Sequence, residues 1–200
     1  MDFNESQTKE NLAKAFAAEC QAGARYQFMA TQAQNEELPY VQGTMKMLAK
    51  NEMAHAKLFY DYIVDNGGEC KVEVEADYPY VEATLEKSLK AEAEVEAEEF
   101  ERIYPHFSEV AKREGYKDIA ESFNIVATVE KTHSKILEFL AKNYSKQSFY
   151  KSKTKRLLKC SNCGHIDCLA DGWKECPLCS LGTGYIQIDY NDILKNSLEC

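Results

Sequence analysis

The chain has 200 residues, 44% of them hydrophobic and 28% charged, which is enough apolar material for one ordinary domain plus a small second one. Its 33 acidic and 24 basic side chains leave a net charge of −9, which disfavours nucleic acid or an anionic membrane surface as the main partner. No run of about 18 apolar residues reads as a membrane span, and the polar start Met1-Asp2-Phe3-Asn4-Glu5-Ser6 lacks the layout of a signal peptide, so the expected compartment is the cytoplasm.

Four helices are predicted in chain order, over about 6–35, 40–65, 80–112 and 116–144. Leu38-Pro39 separates the first from the second, because a residue before proline leaves the helical region. Asn66-Gly67-Gly68 ends the second, and Gly115 divides the third from the fourth. Pro105 is expected to kink or break the third helix. A long crossover after Gly67 in an otherwise up-and-down bundle is the connectivity of ferritin-like folds.

Composition changes near residue 145. Residues 1–144 hold 27 acidic and 16 basic side chains, whereas 145–200 hold 6 and 8. The stretch 145–159 has six basic residues and no acid, and reads as a solvated linker. The sharper alternative is a docking site for an acidic redox partner or for the acidic domain of a second subunit. Beyond it, paired cysteines, glycines and the alternating Tyr185-Ile186-Gln187-Ile188 predict short strands and turns. The expected organisation is a bundle over 1–144, a basic linker over 145–159, a four-cysteine domain over 160–190 and a tail over 191–200.

Each predicted helix has an apolar stripe at alternating spacings of four and three, interrupted by acid near its middle. The stripes run Leu12, Phe16, Glu19, Gly23, Tyr26; Leu48, Glu52, His55, Phe59; Leu89, Glu92, Glu96, Glu99, Ile103; and Val126, Glu130, His133, Leu137. Glu19, Glu52, Glu96, Glu99 and Glu130 would thus meet inside an apolar bundle, with no Lys or Arg on the stripes to compensate. Burying one uncompensated ion costs several kcal/mol, and like charges nearby add to that. A pair of hard cations resolves the conflict. Glu52 and His55, like Glu130 and His133, stand three apart and face one way on a helix. Two such Glu-x-x-His motifs plus a Glu from each of two other helices is the di-iron carboxylate pattern. Tyr26 and Tyr104 are either core aromatics or hydrogen-bond donors to ligand carboxylates. His106, beside Pro105, reads as a surface residue or an indirect helper, not a ligand.

Five of the eight cysteines fall between Cys160 and Cys179. Cys160-Ser161-Asn162-Cys163 and Cys176-Pro177-Leu178-Cys179 close a tetrahedral four-thiolate site. The spacing leaves iron and structural zinc both open. His165 and Cys168, between the pairs, read as loop residues.

Over residues 1–190 the chain resembles the rubrerythrin family. The landmarks are Ala18-Glu19-Cys20-Gln21-Ala22, both Glu-x-x-His motifs, Glu96 and Glu99 just before Ile103-Tyr104-Pro105, and the two C-terminal cysteine knuckles. The resemblance implies a mainly α protein, a ferritin-like four-helix bundle with a small rubredoxin-like β domain. It implies a peroxidase that reduces hydrogen peroxide to water at a non-haem di-iron centre and defends an anaerobe or microaerophile against oxidative stress. Electrons would come from NADH, through a reductase or a rubredoxin and one iron held by Cys160, Cys163, Cys176 and Cys179. Glu52 and Glu130 would bridge the irons, Glu19 and Glu96 would be terminal, His133 would hold the second iron, and the first would exchange Glu99 for His55 on reduction. A homo-oligomer, at least a dimer, is expected. The rival readings are a di-iron dioxygen reductase, a ferroxidase, and a non-catalytic protein with a zinc ribbon. The chain departs from the family pattern at Cys20, beside a ligand, at Ser180, where a glycine is usual, and in its tail.

Overall fold

The computed structural model describes residues 2–81, 84–146 and 148–188. The tail expected over 191–200 lies outside the described residues. The helical elements are α1 (Gln7–Asn35), α2 (Pro39–Gly67), α3 (Leu85–Glu98), a π turn (Glu99–Ile103), α4 (Tyr104–Glu114) and α5 (Lys117–Ser145). Three strands follow: β1 (Lys151–Cys160), β2 (Ile166–Asp171) and β3 (Ile186–Ile188).

Local chemistry sets the ends of the helices. The Ser6 side chain accepts from the Lys9 N–H to cap α1, and Thr84 accepts from Lys87 to cap α3. Leu38 adopts φ −111° and ψ 65°, and Pro39 then opens α2. Gly115, at φ 99°, closes α4 in the left-handed conformation. The stretch between α2 and α3 makes the long crossover. Pro105 does not break the third helix, which begins at Leu85 and runs on through the π turn. The Tyr104 N–H reaches back to the Glu99 carbonyl, so the widened turn accommodates a ring that has no N–H of its own.

The core has two parts, with the acidic residues between them on every long helix. One contains Tyr26, Leu48, Leu89 and Leu137, and the other Leu12, Phe59, Tyr104 and Phe123. Phe149, just past α5, is buried in the first part and anchors the C-terminal unit to the bundle.

The basic stretch 145–159 is not the expected linker. Most of it is β1, the central strand of an antiparallel sheet ordered β2-β1-β3. Period-two alternation is the reason: Lys153, Lys155 and Lys159 face solvent, while Leu158 and Cys160 turn inward. Arg156 donates to the Phe149 carbonyl at 2.8 Å. Gly172 allows the sheet to close on Tyr150: a Cβ there would lie 2.9 Å from the Tyr150 Cβ and 2.7 Å from Ile186 Cδ1.

Candidate metal centres

Glu19, Glu52, Glu96, Glu99, Glu130 and His133 are all buried, and His55 is nearly so. Their atoms gather into two adjoining groups. One contains Glu19, Glu52, His55 and Glu130, the other Glu52, Glu96, Glu130 and His133, with the ligand atoms of each within 4.8 Å of one another. Glu52 and Glu130 belong to both. The His55 Nδ1 lies 3.4, 3.2 and 3.0 Å from oxygens of Glu19, Glu52 and Glu130. The His133 Nδ1 lies 2.9 Å from Glu52 and 2.8 Å from Glu130. Glu99 falls in neither group; it lines a cavity of about 820 Å³ shared with Tyr104, Lys14 and Arg25.

The donor set fits a pair of metal ions. Glu52 Oε1, Glu96 Oε2, both Glu130 oxygens and the His133 Nδ1 are buried without a hydrogen-bond partner. Buried polar atoms are nearly always paired. These five lie close together yet do not form hydrogen bonds with one another, as atoms do when their lone pairs share a central cation.

Electrostatics without metal points the same way. Burial, then repulsion from Glu130, raises the Glu19, Glu96 and Glu99 carboxyls well above the usual range. Burial opposes the imidazolium of His55, but the carboxylates of Glu130, Glu19 and Glu52 close to its Nδ1 outweigh it and push the pKa to about 12. His133 is raised to about 9 by Glu130 and Glu52, again against burial. Glu52 is lowered to about 2, its burial outweighed by His133 and His55. Protons on acids and imidazoles stand in for the missing positive charge.

The surrounding contacts are specific. Tyr26 donates to Glu96, and Tyr104 donates to Glu19. Burial, followed by repulsion from those same carboxylates, raises both phenols well above 10, so they remain donors. His106 is exposed in the cavity wall and joins neither group. Two partners were not legible in the stripes. The Asn51 side-chain amide nitrogen lies 3.3 Å from the His133 Nε2 and orients the ring from the side opposite the carboxylates. Its only signal was its place beside Glu52. Glu92, on the third stripe, is buried, and its counter-charge is Arg25, one residue before Tyr26, at 2.6 Å.

Cys160, Cys163, Cys176 and Cys179 form the second centre, with Cys160 and Cys179 sulfurs 3.7 Å apart and those of Cys163 and Cys176 3.6 Å apart. The two knuckles match. Gly164 at φ 76° and Ser180 at φ 58° both take the left-handed conformation after the second cysteine, so the serine reproduces the glycine's geometry. The next N–H of each knuckle, His165 and Leu181, points at sulfur. The Leu181 N–H lowers the Cys179 thiol to about 6. The His165 N–H favours the Cys163 thiolate, but burial and the other three thiols outweigh it and hold Cys163 at about 12. Cys168 is exposed on β2, and the His165 ring packs on Trp173 at 5.4 Å; neither enters the cluster.

The architecture is thus a ferritin-like bundle holding a di-iron-type carboxylate and histidine site, with a rubredoxin-type four-cysteine site on the small sheet. No helix among the described residues is long and apolar enough to cross a membrane. In overall shape the chain is similar to nigerythrin in a mixed-valence state, with a TM-score of 0.60 at 22% identity over 92% of this chain and 89% of that one. The rubrerythrin of Clostridium perfringens is 36% identical over 185 residues, 92% of this chain and 94% of that protein. Rubrerythrin-1 of Clostridium acetobutylicum is 35% identical over 184 residues, again 92% and 94%. The rubrerythrin family model matches residues 10–141, and with these likenesses over nearly the whole length the chain belongs to the rubrerythrin family.

Proposed function

We propose that this protein is a non-haem di-iron peroxidase that reduces hydrogen peroxide to water. The observation that carries the reading is the pair of ligand groups joined through Glu52 and Glu130, in one chain with a four-cysteine centre. Two ferrous ions supply, when bound, the electrons that split the O–O bond, and the four-cysteine iron supplies their replacement.

In this reading Glu52 and Glu130 would help to hold both metal ions, with Glu19 completing one ligand group and Glu96 and His133 the other. His55, and Glu99 in its place, would be the exchangeable ligands on the Glu19 side. Tyr26 and Tyr104 hold Glu96 and Glu19 in orientation through O–H donors that keep their protons. The two halves of the core exclude bulk water above and below the acidic layer. The cavity beside Glu99 and Tyr104 is the entry for a molecule as small as hydrogen peroxide.

The reading extends to partners. Electrons come from NADH through a reductase, or from a rubredoxin, and the basic outer face of β1 suits an acidic donor. The protein works as a homo-oligomer, at least a dimer, in the cytoplasm, and protects an anaerobic or microaerophilic cell from oxidative stress.

The test is anaerobic mixing of the fully reduced protein with hydrogen peroxide or dioxygen, following the colour of the ferric four-cysteine centre. Colour returning much faster with peroxide supports the reading. Faster return with dioxygen makes the protein an oxidase, and no colour in any state leaves zinc at the cysteines and no electron supply.

A further inference from the structure

The cavity that borders Glu99 and Tyr104 is far larger than hydrogen peroxide requires. Its volume is about 820 Å³, inside the range of about 300–1,000 Å³ that holds drug-sized organic molecules. Hydrogen peroxide is little bigger than water, whose share of the liquid is about 30 Å³. The lining runs from solvent to the acidic layer: Glu98, Arg102 and His106 are exposed, whereas Ala15, Glu99 and Tyr104 are buried.

Apolar side chains from four elements line the space between those ends. Ala18 comes from α1, Val95 from α3, Ile103 from the π turn and Phe107 from α4. The crossover between α2 and α3 adds a further wall with half-buried Tyr78 and Pro79, and the Tyr78 O–H donates to the Lys14 carbonyl on α1 at 3.4 Å. Apart from Glu99 at the inner end, the charges in the wall are matched: Lys14, Arg25 and Arg102 are offset by Glu75, Asp77 and Glu98. Arg25 is held by Glu92 at 2.6 Å, and Arg102 is paired with Glu98. Such a wall has no excess charge with which to select an ion, and it suits a neutral organic molecule.

We propose that this cavity is a substrate pocket for neutral organic hydroperoxides. An aryl or branched alkyl group occupies the apolar stretch, and the hydroperoxide end faces Glu99 and Tyr104. The proposal rests on the peroxidase reading and names a further substrate class for the same site. The reaction takes up two electrons, one from each ferrous ion, and two protons from solvent at the mouth. The O–O bond breaks; the oxygen bearing the organic group leaves as the alcohol and the other as water, while both ions become ferric. Ala18 and Val95, small residues on facing helices, leave the room that the organic group needs.

The test uses cumene hydroperoxide and its product, cumyl alcohol, with the full chain loaded at both metal centres. Calorimetry of the oxidised protein with the alcohol is expected to show saturable binding. Ala18→Leu and Val95→Trp narrow the cavity from α1 and from α3, and each is expected to weaken that binding about tenfold. Fully reduced protein is then mixed anaerobically with cumene hydroperoxide or with hydrogen peroxide, and the alcohol formed is quantified. Wild type is expected to reduce both, and each variant to lower the ratio of the cumene rate to the hydrogen peroxide rate about tenfold. A general loss of metal or fold lowers both rates and leaves the ratio, so the reading survives a damaged variant. Reduction of hydrogen peroxide alone, no saturable binding of the alcohol, or a ratio unchanged in both variants would overturn the proposal and leave the peroxidase reading intact. A protein that binds the alcohol but reduces neither peroxide would sink the peroxidase reading, and the proposed turnover with it.

Discussion

Tyr26 and Glu96 are joined by a buried hydrogen bond between α1 and α3, and Glu96 keeps its other oxygen without a partner. One oxygen is thereby oriented by the phenol and the other directed into the metal groups. Tyr26→Phe removes the donor and leaves the carboxyl buried. The variant is expected to lose about 1–3 kcal/mol of stability without metal and roughly tenfold to hundredfold in metal affinity. Thermal unfolding and metal titration measure the two losses, and unchanged metal affinity would refute the orienting role.

Glu52 and Glu130 each serve both ligand groups, so removing either disables both positions at once. Glu52→Ala and Glu130→Ala are each expected to abolish peroxide turnover while the colour of the four-cysteine iron remains. Turnover retained in both variants would refute their assignment as bridges.

The metal-free site makes stability depend on pH. His133 is raised from 6.5 to about 9. A group with a raised folded pKa stabilises the fold below its unfolded value and loses that contribution as pH climbs through the folded one. The His133 contribution is therefore complete below 6.5 and is lost between 6.5 and about 9. His55 and the raised carboxyls of Glu19, Glu96 and Glu99 act in the same direction. Glu52 acts oppositely, but only between 4.5 and about 2. Metal-free protein is expected to lose stability from about pH 6.5 to 9, at roughly 1.4 kcal/mol per pH unit for each proton released. Protein loaded with metal has no such protons to lose. Melting temperatures of the two forms across that range are expected to diverge; parallel curves would contradict the proton accounting.

The helices and the acidic layer were legible because burial forces a period: a residue such as Glu52 can interrupt an apolar stripe only if something inside the bundle compensates it. The compensation of Glu92 was invisible, since Arg25 lies off the α1 stripe and reaches its partner only through the rotation of α1 against α3. Asn51 was missed for the same reason. The basic stretch misled because six basic residues with no acid among them outweigh, on composition, the alternation that puts Leu158 and Cys160 inside. The π turn at Glu99 has no local sequence signal beyond Pro105, whose missing N–H a widened turn accommodates as well as a break does.

The position of the four-cysteine unit on the bundle depends on a residue without a side chain. Gly184 sits against the loop between α1 and α2, where a Cβ would lie 2.5 Å from the Glu37 carbonyl oxygen and 3.1 Å from the Pro39 ring. Neither neighbour can yield easily, since Glu37 has a left-handed φ of 57° and Pro39 opens α2. Gly184→Ala is expected to push the unit away from the bundle at a cost of about 1–3 kcal/mol, without touching a cysteine. The four-cysteine spectrum should remain as in wild type, and peroxide should still oxidise the reduced carboxylate site directly. Turnover fed through the cysteine iron is expected to fall, because the distance between the two centres has changed and the centres have not. Steady-state turnover equal to wild type, with the loss of stability present, would show that this contact anchors the small unit but does not set the electron path.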